Sequence, residues 1–249
     1  MFRLPLFASL AAALLLSACT APQSRGINDP FEETNRRWHE TNVAIDRAFV
    51  GPVGKAYGVV PDDLRQGVSN MSDTLSLPGM VINDVLQFRF GDALHNSARL
   101  VLNATMGIGG FFDPATSAGL PERKSDFGET LARWGVGEGA YVVLPVMGPS
   151  TERDALGFVV DVMLDPLGPL LDPSQTRVRS VLKVGELADD RARYSDLYES
   201  VLYESADSYA QMRLTYLDNR RFTLGQGATQ TTGEDTSGAA YDIYEDFYE

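Results

Sequence analysis

The chain has 249 residues, a formal net charge of −13 at pH 7 and a single cysteine. Such acidity opposes contact with nucleic-acid backbones and anionic lipid surfaces, and one cysteine excludes a disulfide within the chain. We therefore expect no nucleic-acid partner, and a fold held by packing in one large domain or two small ones.

Residues 1–18 have the parts of a secretory signal. Arg3 is followed by a run that is apolar except for Ser9 and too short to span a membrane, and small residues precede the expected cut after Ala18. The sequence across that cut, Leu-Ser-Ala-Cys, resembles a bacterial lipobox. We expect Cys19 to become an acylated N-terminus that anchors the protein to a membrane without a spanning helix. The alternative is an ordinary signal with an incidental cysteine.

A polar tether is predicted over residues 19–28, followed by the first helix. Asp29 is suited to cap this helix, and Pro30 is suited to its first position. The helical spacing then places two asparagines on an otherwise apolar stripe, which consists of Phe31, Asn35, Trp38, Asn42, Ile45 and Phe49.

Further helices are predicted along the middle of the chain. Apolar residues keep helical spacing from Leu64 to Leu75, and Asp92 is suited to cap a later helix that Gly107 would end. Alternating patterns typical of strands are scarce, and Tyr141–Leu144 is the best of them. The sequence therefore predicts an all-α fold.

One long C-terminal helix is predicted from Glu186 to about Arg221, because neither proline nor glycine interrupts that segment. Residues 225–249 contain several carboxylates and neither lysine nor arginine. We expect them to form a disordered acidic tail.

A strongly apolar helix is predicted after Ser150 or Thr151, either of which can cap it, and Asp165-Pro166 would end it. It is apolar nearly all round, which is typical of a helix buried in the protein core or in lipid, and both interpretations stay open. The candidate membrane-embedded residues are Leu156, Phe158, Val159, Val160, Val162 and Met163.

Four asparagines on otherwise apolar stripes are candidates for packing through hydrogen bonds or for lining a polar passage. Packing is favoured, because buried amides usually find local partners. The four are Asn35, Asn42, Asn83 and Asn103.

No residue set for catalysis, metal binding or cofactor binding is evident in the sequence. The two histidines, His39 and His95, lack zinc-like spacing, and no Gly-x-Ser-x-Gly or His-Glu-x-x-His motif occurs. Paired carboxylates such as Asp189 and Asp190 are interpreted as solvated. We expect a protein that is not an enzyme; an envelope lipid hydrolase is the weaker alternative.

Several motifs follow one another in order between residues 28 and 221. They include Asn28-Asp29-Pro30-Phe31-Glu32, the glycine-rich run 107–113, Asp126-Phe127-Gly128-Glu129-Thr130-Leu131, Trp134-Gly135-Val136-Gly137, and the segments 141–145 and 148–151. Together they resemble the MlaA (VacJ) family of phospholipid-transport lipoproteins of Gram-negative outer membranes. Small departures occur at Glu129, where glutamine is expected, and at Ala140, where proline is expected.

The resemblance implies a ring-shaped helical assembly over residues 29–224, embedded in the inner leaflet of the outer membrane and facing the periplasm. It implies a lipoprotein that takes mislocalised phospholipid from the outer leaflet and passes it to a soluble periplasmic lipid-carrier protein for retrograde transport. It also implies contact with a trimeric porin and no cofactor. The alternative is a structural lipoprotein that scaffolds a porin or envelope complex without moving lipid.

Overall fold

The structure is a computed structural model that describes residues 27–225. The leader, Cys19, most of the tether and residues 226–249 lie outside the described residues. Their assignments therefore stay predictions.

Residues 27–225 are mostly helical and contain one short β-hairpin, which confirms the predicted all-α class. In this part of the chain no helix is both long enough and apolar enough to cross a membrane. The helices are α1 (Glu32–Ile45), α2 (Gly51–Tyr57), α3 (Asp62–Leu86), α4 (Phe90–Thr105), α5 (Pro114–Ser117), α6 (Phe127–Arg133), α7 (Glu152–Met163), α8 (Pro173–Arg193), α9 (Ser195–Glu199) and α10 (Ser208–Thr223). The described residues also form two π-helical segments, π1 (Asp46–Val50) and π2 (Ser200–Glu204), and two strands, β1 (Tyr141–Leu144) and β2 (Gly148–Thr151).

The packing follows a chain of neighbouring helices. Helix α3 lies against both α4 and α8, α2 also packs on α8, and α6 packs on α7. The hairpin pairs antiparallel, with Tyr141 opposite Thr151, and confirms the predicted strand at Tyr141–Leu144. Its inner face forms a small hydrophobic cluster with α10 through Tyr141, Val143, Tyr209 and Leu217.

Two predicted helix caps are wrong. Helix α1 has Phe31 at its N-cap, and the Asp29 carboxylate instead accepts hydrogen bonds from Asn35 and from two residues of α10, Tyr209 and Arg213. Asp92 lies inside the first turn of α4, where it pairs with two arginines. In both cases an arginine from a distant segment, Arg213 for Asp29 and Arg123 for Asp92, pairs with the carboxylate that was predicted to cap the helix.

The segment Glu186 to Arg221 is mostly helical, but its prediction as a single helix is wrong. It is divided into the end of α8, then α9, π2 and α10. The chain becomes extended at Ser205, and Asp207 starts α10 by accepting a hydrogen bond from the backbone N–H of Ala210. Arg36 of α1 holds the same Asp207 carboxylate, so a distant contact supports this break.

The predicted apolar helix corresponds to α7. The Thr151 hydroxyl accepts a hydrogen bond from the backbone N–H of Asp154, which confirms the predicted cap, and the helix ends just before Asp165-Pro166. Its neighbour α6 is capped by Asp126 in the same way. These two caps fix where the crossing pair of helices begins.

Candidate functional site

The polarity of the described residues is inverted relative to an ordinary soluble domain. Buried polar and charged residues outnumber buried hydrophobic ones, and many large apolar side chains are exposed. Helix α1 illustrates the pattern, because its buried positions include Asn35 and His39, whereas Phe31 and Trp38 are exposed. A surface with so many exposed apolar side chains is unusual for a water-soluble protein.

Helix α7 presents its apolar side chains outward. Leu156, Phe158, Val159, Val162 and Met163 are exposed, with exposed fractions from 45% to 79%, and Val160 is half-buried. The inward side carries Arg153, Gly157 and Asp161. The side chains predicted to be embedded therefore lie on the outside of the protein rather than in its core.

The inner side of α7 crosses α6 at close range. A Cβ atom added to Gly157 would overlap the backbone nitrogen of Gly128 and lie 2.7 Å from its Cα. Asp161 accepts hydrogen bonds from the Asn83 amide at 2.7 Å and from the Phe127 backbone at 3.0 Å. The glycine contact and these polar bonds hold α7 in place without using its apolar side.

Asn35 joins α1 to β1. Its amide nitrogen donates to the Tyr141 carbonyl at 3.0 Å, and its amide oxygen accepts from the Val143 backbone N–H at 2.9 Å. The side chain is only 3% exposed. Asn42 makes the equivalent pair of bonds farther along, to the Leu144 carbonyl and the Val146 N–H, at 2.9 and 2.7 Å.

The other two asparagines also bond within the protein. Asn83 donates to Asp161 and accepts from the Thr130 hydroxyl at 3.0 Å. Asn103 accepts from the Ala115 backbone N–H at 3.1 Å, which ties α4 to α5. Each of the four amides therefore links two separate segments of the fold.

His39 and Ser208 form a polar contact between α1 and α10. The His39 Nε2 lies 2.8 Å from the Ser208 Oγ, and burial lowers the pKa of His39. The neighbouring Asp207 carboxylate is held by Arg36 at 2.9 and 3.1 Å and caps α10. This arrangement accounts for the His–Ser contact as a link between helices.

Arg220 closes a second polar junction, which we call the Arg220 clamp (Arg220, Asp126, Asp154 and Tyr216). Its guanidinium contacts both oxygens of Asp126, at 2.7 and 2.8 Å, and both oxygens of Asp154, at 2.9 and 3.1 Å. The Tyr216 hydroxyl donates to Asp154 at 2.8 Å. Burial alone would raise the pKa of Asp154, but the bonds from Arg220 keep it below its usual value.

Helices α3 and α8 carry a different group of charges, together with the segment between α5 and α6. We call it the mixed-charge cluster, and sequence reasoning did not find it. Within it, Lys183 donates to both oxygens of Glu186, at 2.8 and 2.9 Å, and Ser72 of α3 donates to Glu186 as well. The cluster consists of Asp73, Glu122, Lys124, Lys183, Glu186 and Asp190.

Asp73 is the least compensated member of this cluster. It is half-buried, and within residues 27–225 its side chain makes no hydrogen bond or ion pair. Burial raises its pKa to about 6, and the carboxylates of Glu122 and Glu186 add to the rise, while Lys124 and Lys183 oppose it. Burial and the neighbouring Glu186 also raise the pKa of Asp190.

Asp189, the residue before Asp190, behaves differently. The interpretation of both as solvated is wrong for Asp189, which is buried and paired with Arg65 and with Arg193. Because α8 turns by about 100° per residue, adjacent aspartates point to different surroundings, and only tertiary packing decides which one is enclosed.

Chemically, the mixed-charge cluster combines amines and uncompensated carboxylates across three segments. Amines attract phosphate, and carboxylates attract ammonium groups. Here both amines already have carboxylate partners, because Lys183 is bonded to Glu186 and Lys124 lies 3.9 Å from Glu122. Asp73 is therefore the member of the cluster with unused bonding capacity within residues 27–225.

Comparison with known proteins identifies the family of this chain. The family model described as MlaA lipoprotein matches residues 27–223. The intermembrane phospholipid transport system lipoprotein MlaA of Escherichia coli K12 is 30% identical over 244 residues, which covers 96% of this chain and 95% of the relative. An uncharacterized protein of Rickettsia bellii is 32% identical over 197 residues, or 76% of this chain and 74% of that protein.

A solved structure is also similar. It was determined in a study named "Structural basis for maintenance of bacterial outer membrane lipid asymmetry", and the match has a TM-score of 0.67 and 29% identity. It covers 79% of this chain and 98% of the solved chain. With the family model spanning nearly all the described residues, this chain belongs to the MlaA lipoprotein family.

Proposed function

We propose that this protein removes mislocalised phospholipids from the outer leaflet of the outer membrane and so maintains lipid asymmetry. It passes them to a soluble periplasmic lipid-carrier protein for retrograde transport. Family membership and the names of the transport lipoproteins to which the chain is similar support this role. The observation that carries the proposal is the inverted polarity, with apolar side chains outside and charges inside.

Moving a phospholipid requires a sheltered route. Its two acyl chains hold roughly 30 methylenes, and exposing each to water costs ~0.8 kcal/mol, so free transfer would cost more than 20 kcal/mol. The headgroup has the opposite problem, because charge is costly to bury in hydrocarbon. A protein that is apolar outside and polar inside meets both needs, since lipid covers the tails while the interior receives the headgroup.

The exposed apolar side of α7 supports seating in one leaflet. In our proposal Leu156, Phe158, Val159, Val162 and Met163 contact acyl chains, with Val160 at the edge of that contact. Acylated Cys19 holds the ring-shaped assembly to the same leaflet on its periplasmic side. The rest of the apolar exterior is then available to a trimeric porin.

Inside the ring, we assign the four asparagines to packing and the mixed-charge cluster to the passage. The amides of Asn35, Asn42, Asn83 and Asn103 are occupied by protein partners. The carboxylate of Asp73 has none within residues 27–225. Groups with unused bonding capacity are the ones that a passing headgroup can contact.

The role is tested in a strain from which the gene is deleted. We expect phospholipid to appear in the outer leaflet, and plasmid-borne wild-type protein to restore asymmetry. Unchanged asymmetry in the deletion strain would contradict the proposal. It would favour instead a structural lipoprotein that scaffolds a porin complex without moving lipid.

Insertion of the apolar side of α7 into the membrane is tested separately with Val162→Asp. Val162→Thr, which has a similar size, is the matched control. Val162 is 61% exposed, so both variants should fold in detergent with wild-type circular dichroism. We expect only the aspartate to reduce complementation and to ease extraction from membranes by alkaline carbonate, because charge is disfavoured in hydrocarbon. Wild-type behaviour of Val162→Asp would show that this side of α7 does not meet lipid.

A further inference from the structure

Three exposed aromatic rings lie around the turn between α3 and α4. The rings of Phe88 and Phe90 stand edge to face, with their centroids 6.4 Å apart. Trp134, at the end of α6, donates its indole N–H to the Leu86 carbonyl at 3.1 Å, which holds the indole against the same turn. Because this bond satisfies the single polar atom of the indole, the exposed part of the ring is apolar.

Phe88 has a backbone conformation that glycine usually adopts. It follows Gln87, the C-cap of α3, and its φ of +59° lies in the left-handed region. Glycine is common just after a C-cap, because a Cβ atom in that conformation costs energy. The Phe88 side chain is 77% exposed, so burial in the core does not offset this cost. Phenylalanine at this position is therefore not explained by folding alone.

The ion pairs beside these rings are sorted by sign. Arg123 and Arg133 are each 47% exposed, whereas their partners Asp92 and Glu129 are 16% and 9% exposed. A guanidinium has five N–H donors, and each of these arginines uses one or two of them on its carboxylate. In both pairs the positive member therefore faces outward, although the chain as a whole has a net charge of −13.

We propose that this aromatic–basic patch (Phe88, Phe90, Trp134, Arg123 and Arg133) lies at the boundary between the acyl chains and the phosphates of the leaflet that holds the protein. The three rings contact acyl chains just below the headgroups, and the two arginines donate to lipid phosphates. This inference rests on the proposed seating of α7 in one leaflet. It adds a second contact, which sets the depth of the protein in that leaflet.

The chemistry of the patch fits lipid better than a protein partner. Aromatic side chains are enriched at the membrane–water boundary, where an apolar ring and polar surroundings are both accommodated. Arginine extends from the same depth to reach phosphate, with which it forms charge-assisted hydrogen bonds. The Phe88 ring projects from a tight turn, so a protein partner would need a pocket shaped for it, whereas fluid acyl chains adapt to any shape.

The test uses Trp134 to report depth in the full lipidated protein. The chain has two tryptophans, so Trp38→Phe leaves Trp134 as the single indole. This protein is reconstituted into phosphatidylethanolamine–phosphatidylglycerol vesicles whose acyl chains carry bromine, a contact quencher of tryptophan fluorescence, near the headgroup or near the terminal methyl. We expect quenching about twofold stronger with bromine near the headgroup, because aromatic rings settle at that depth.

Phe88→Gly in the same background separates lipid contact from a role in folding. Glycine relieves the left-handed backbone, so the thermal unfolding temperature in detergent should equal that of the parent or exceed it. Quenching of Trp134 should fall about twofold, because the ring that holds this turn among acyl chains is gone. Ile108→Gly is the matched control, since Ile108 is also exposed and left-handed but lies beyond the other end of α4. It should leave the quenching of Trp134 unchanged.

The contrary outcomes are distinct. Absence of quenching in vesicles, or equal quenching with and without the Phe88 ring, overturns the inference. Protection of Trp134 from aqueous iodide only after purified trimeric porin is added would assign the patch to a protein partner and would also overturn it. None of these results decides transport, which the lipid asymmetry of the deletion strain tests by itself.

Discussion

The Arg220 clamp and the mixed-charge cluster are both rich in charge, but their charges are used differently. In the clamp one guanidinium meets two carboxylates, and a tyrosine hydroxyl completes one of them. In the cluster Asp73 has no such partner within residues 27–225. Saturated charges in this fold hold helices together, whereas in our proposal the unsaturated carboxylate of Asp73 receives a passing headgroup.

The pKa values follow the same division. Burial acts on Asp154 and on Asp73 alike and favours the neutral acid in both. At Asp154 the bonds from Arg220 outweigh burial and lower the pKa, whereas at Asp73 neighbouring carboxylates add to burial and raise it. The difference arises from the partners rather than from depth in the protein.

Arg220→Ala should break the clamp and have the largest effect on stability. It leaves Asp126 without its cation and leaves the buried Asp154 with only Arg153, at 3.3 Å, and removing one member of an enclosed pair costs about 3 kcal/mol. Denaturant unfolding in detergent measures the loss. Arg37→Ala, which removes the exposed pair with Glu33, is the control and should cost less than about 1 kcal/mol. Equal losses in the two variants would contradict the distinction between saturated and solvated charge.

Asn35→Ala tests the packing role of the amides. The change leaves the Tyr141 carbonyl and the Val143 N–H without partners, and each unsatisfied buried group costs about 1–3 kcal/mol. We expect a loss of about 2 kcal/mol in the same unfolding assay. Thr41→Ala, at an exposed position on the same helix, should stay within about 0.5 kcal/mol of wild type. A loss in transport at unchanged stability would instead assign Asn35 to the passage.

Gly157→Ala tests the close crossing of α6 and α7 beside the clamp. The added methyl would collide with the backbone of Gly128, and overpacking of this kind costs about 1–3 kcal/mol. Gly79→Ala is the matched control, because no atom lies within 4 Å of its added Cβ and alanine favours a helix interior. Thermal unfolding should therefore move in opposite directions for the two variants. Wild-type or higher stability of Gly157→Ala would mean that α6 and α7 separate easily enough to admit the methyl group.

Local rules predicted much of this fold from the sequence. Thr151 caps α7, Asp165-Pro166 follows its end, and Tyr141–Leu144 is a strand, because neighbouring residues are enough to determine each feature. Local rules failed at Asp29 and Asp92, whose carboxylates are taken by arginines far away in the sequence. The break at Ser205 was missed for a similar reason, since Arg36 of α1 supports the cap that follows it.

The site was harder to predict than the fold. The apolar character of α7 is visible in the sequence, but only packing shows that its apolar side faces outward. The mixed-charge cluster has no local signature, because Asp73, Lys124 and Lys183 are distant in sequence and lie on three different segments of the fold. Asp189 and Asp190 are adjacent, yet one is saturated and the other is not.

Asp73→Asn should have a small stabilising effect that depends on pH. Because the pKa of Asp73 is raised from 3.8 to about 6, the folded protein holds this proton more tightly than the unfolded chain, and stability falls as pH rises through that range. Asparagine cannot ionise, so the variant should exceed wild type by about 1 kcal/mol at pH 7.5 after solvent screening, with a smaller gap at pH 5. Unfolding of both proteins at the two pH values measures the gap, with Asp63→Asn as the control. A destabilised Asp73→Asn protein would mean that the carboxylate has a structural partner, and the division between the clamp and the cluster would then fail.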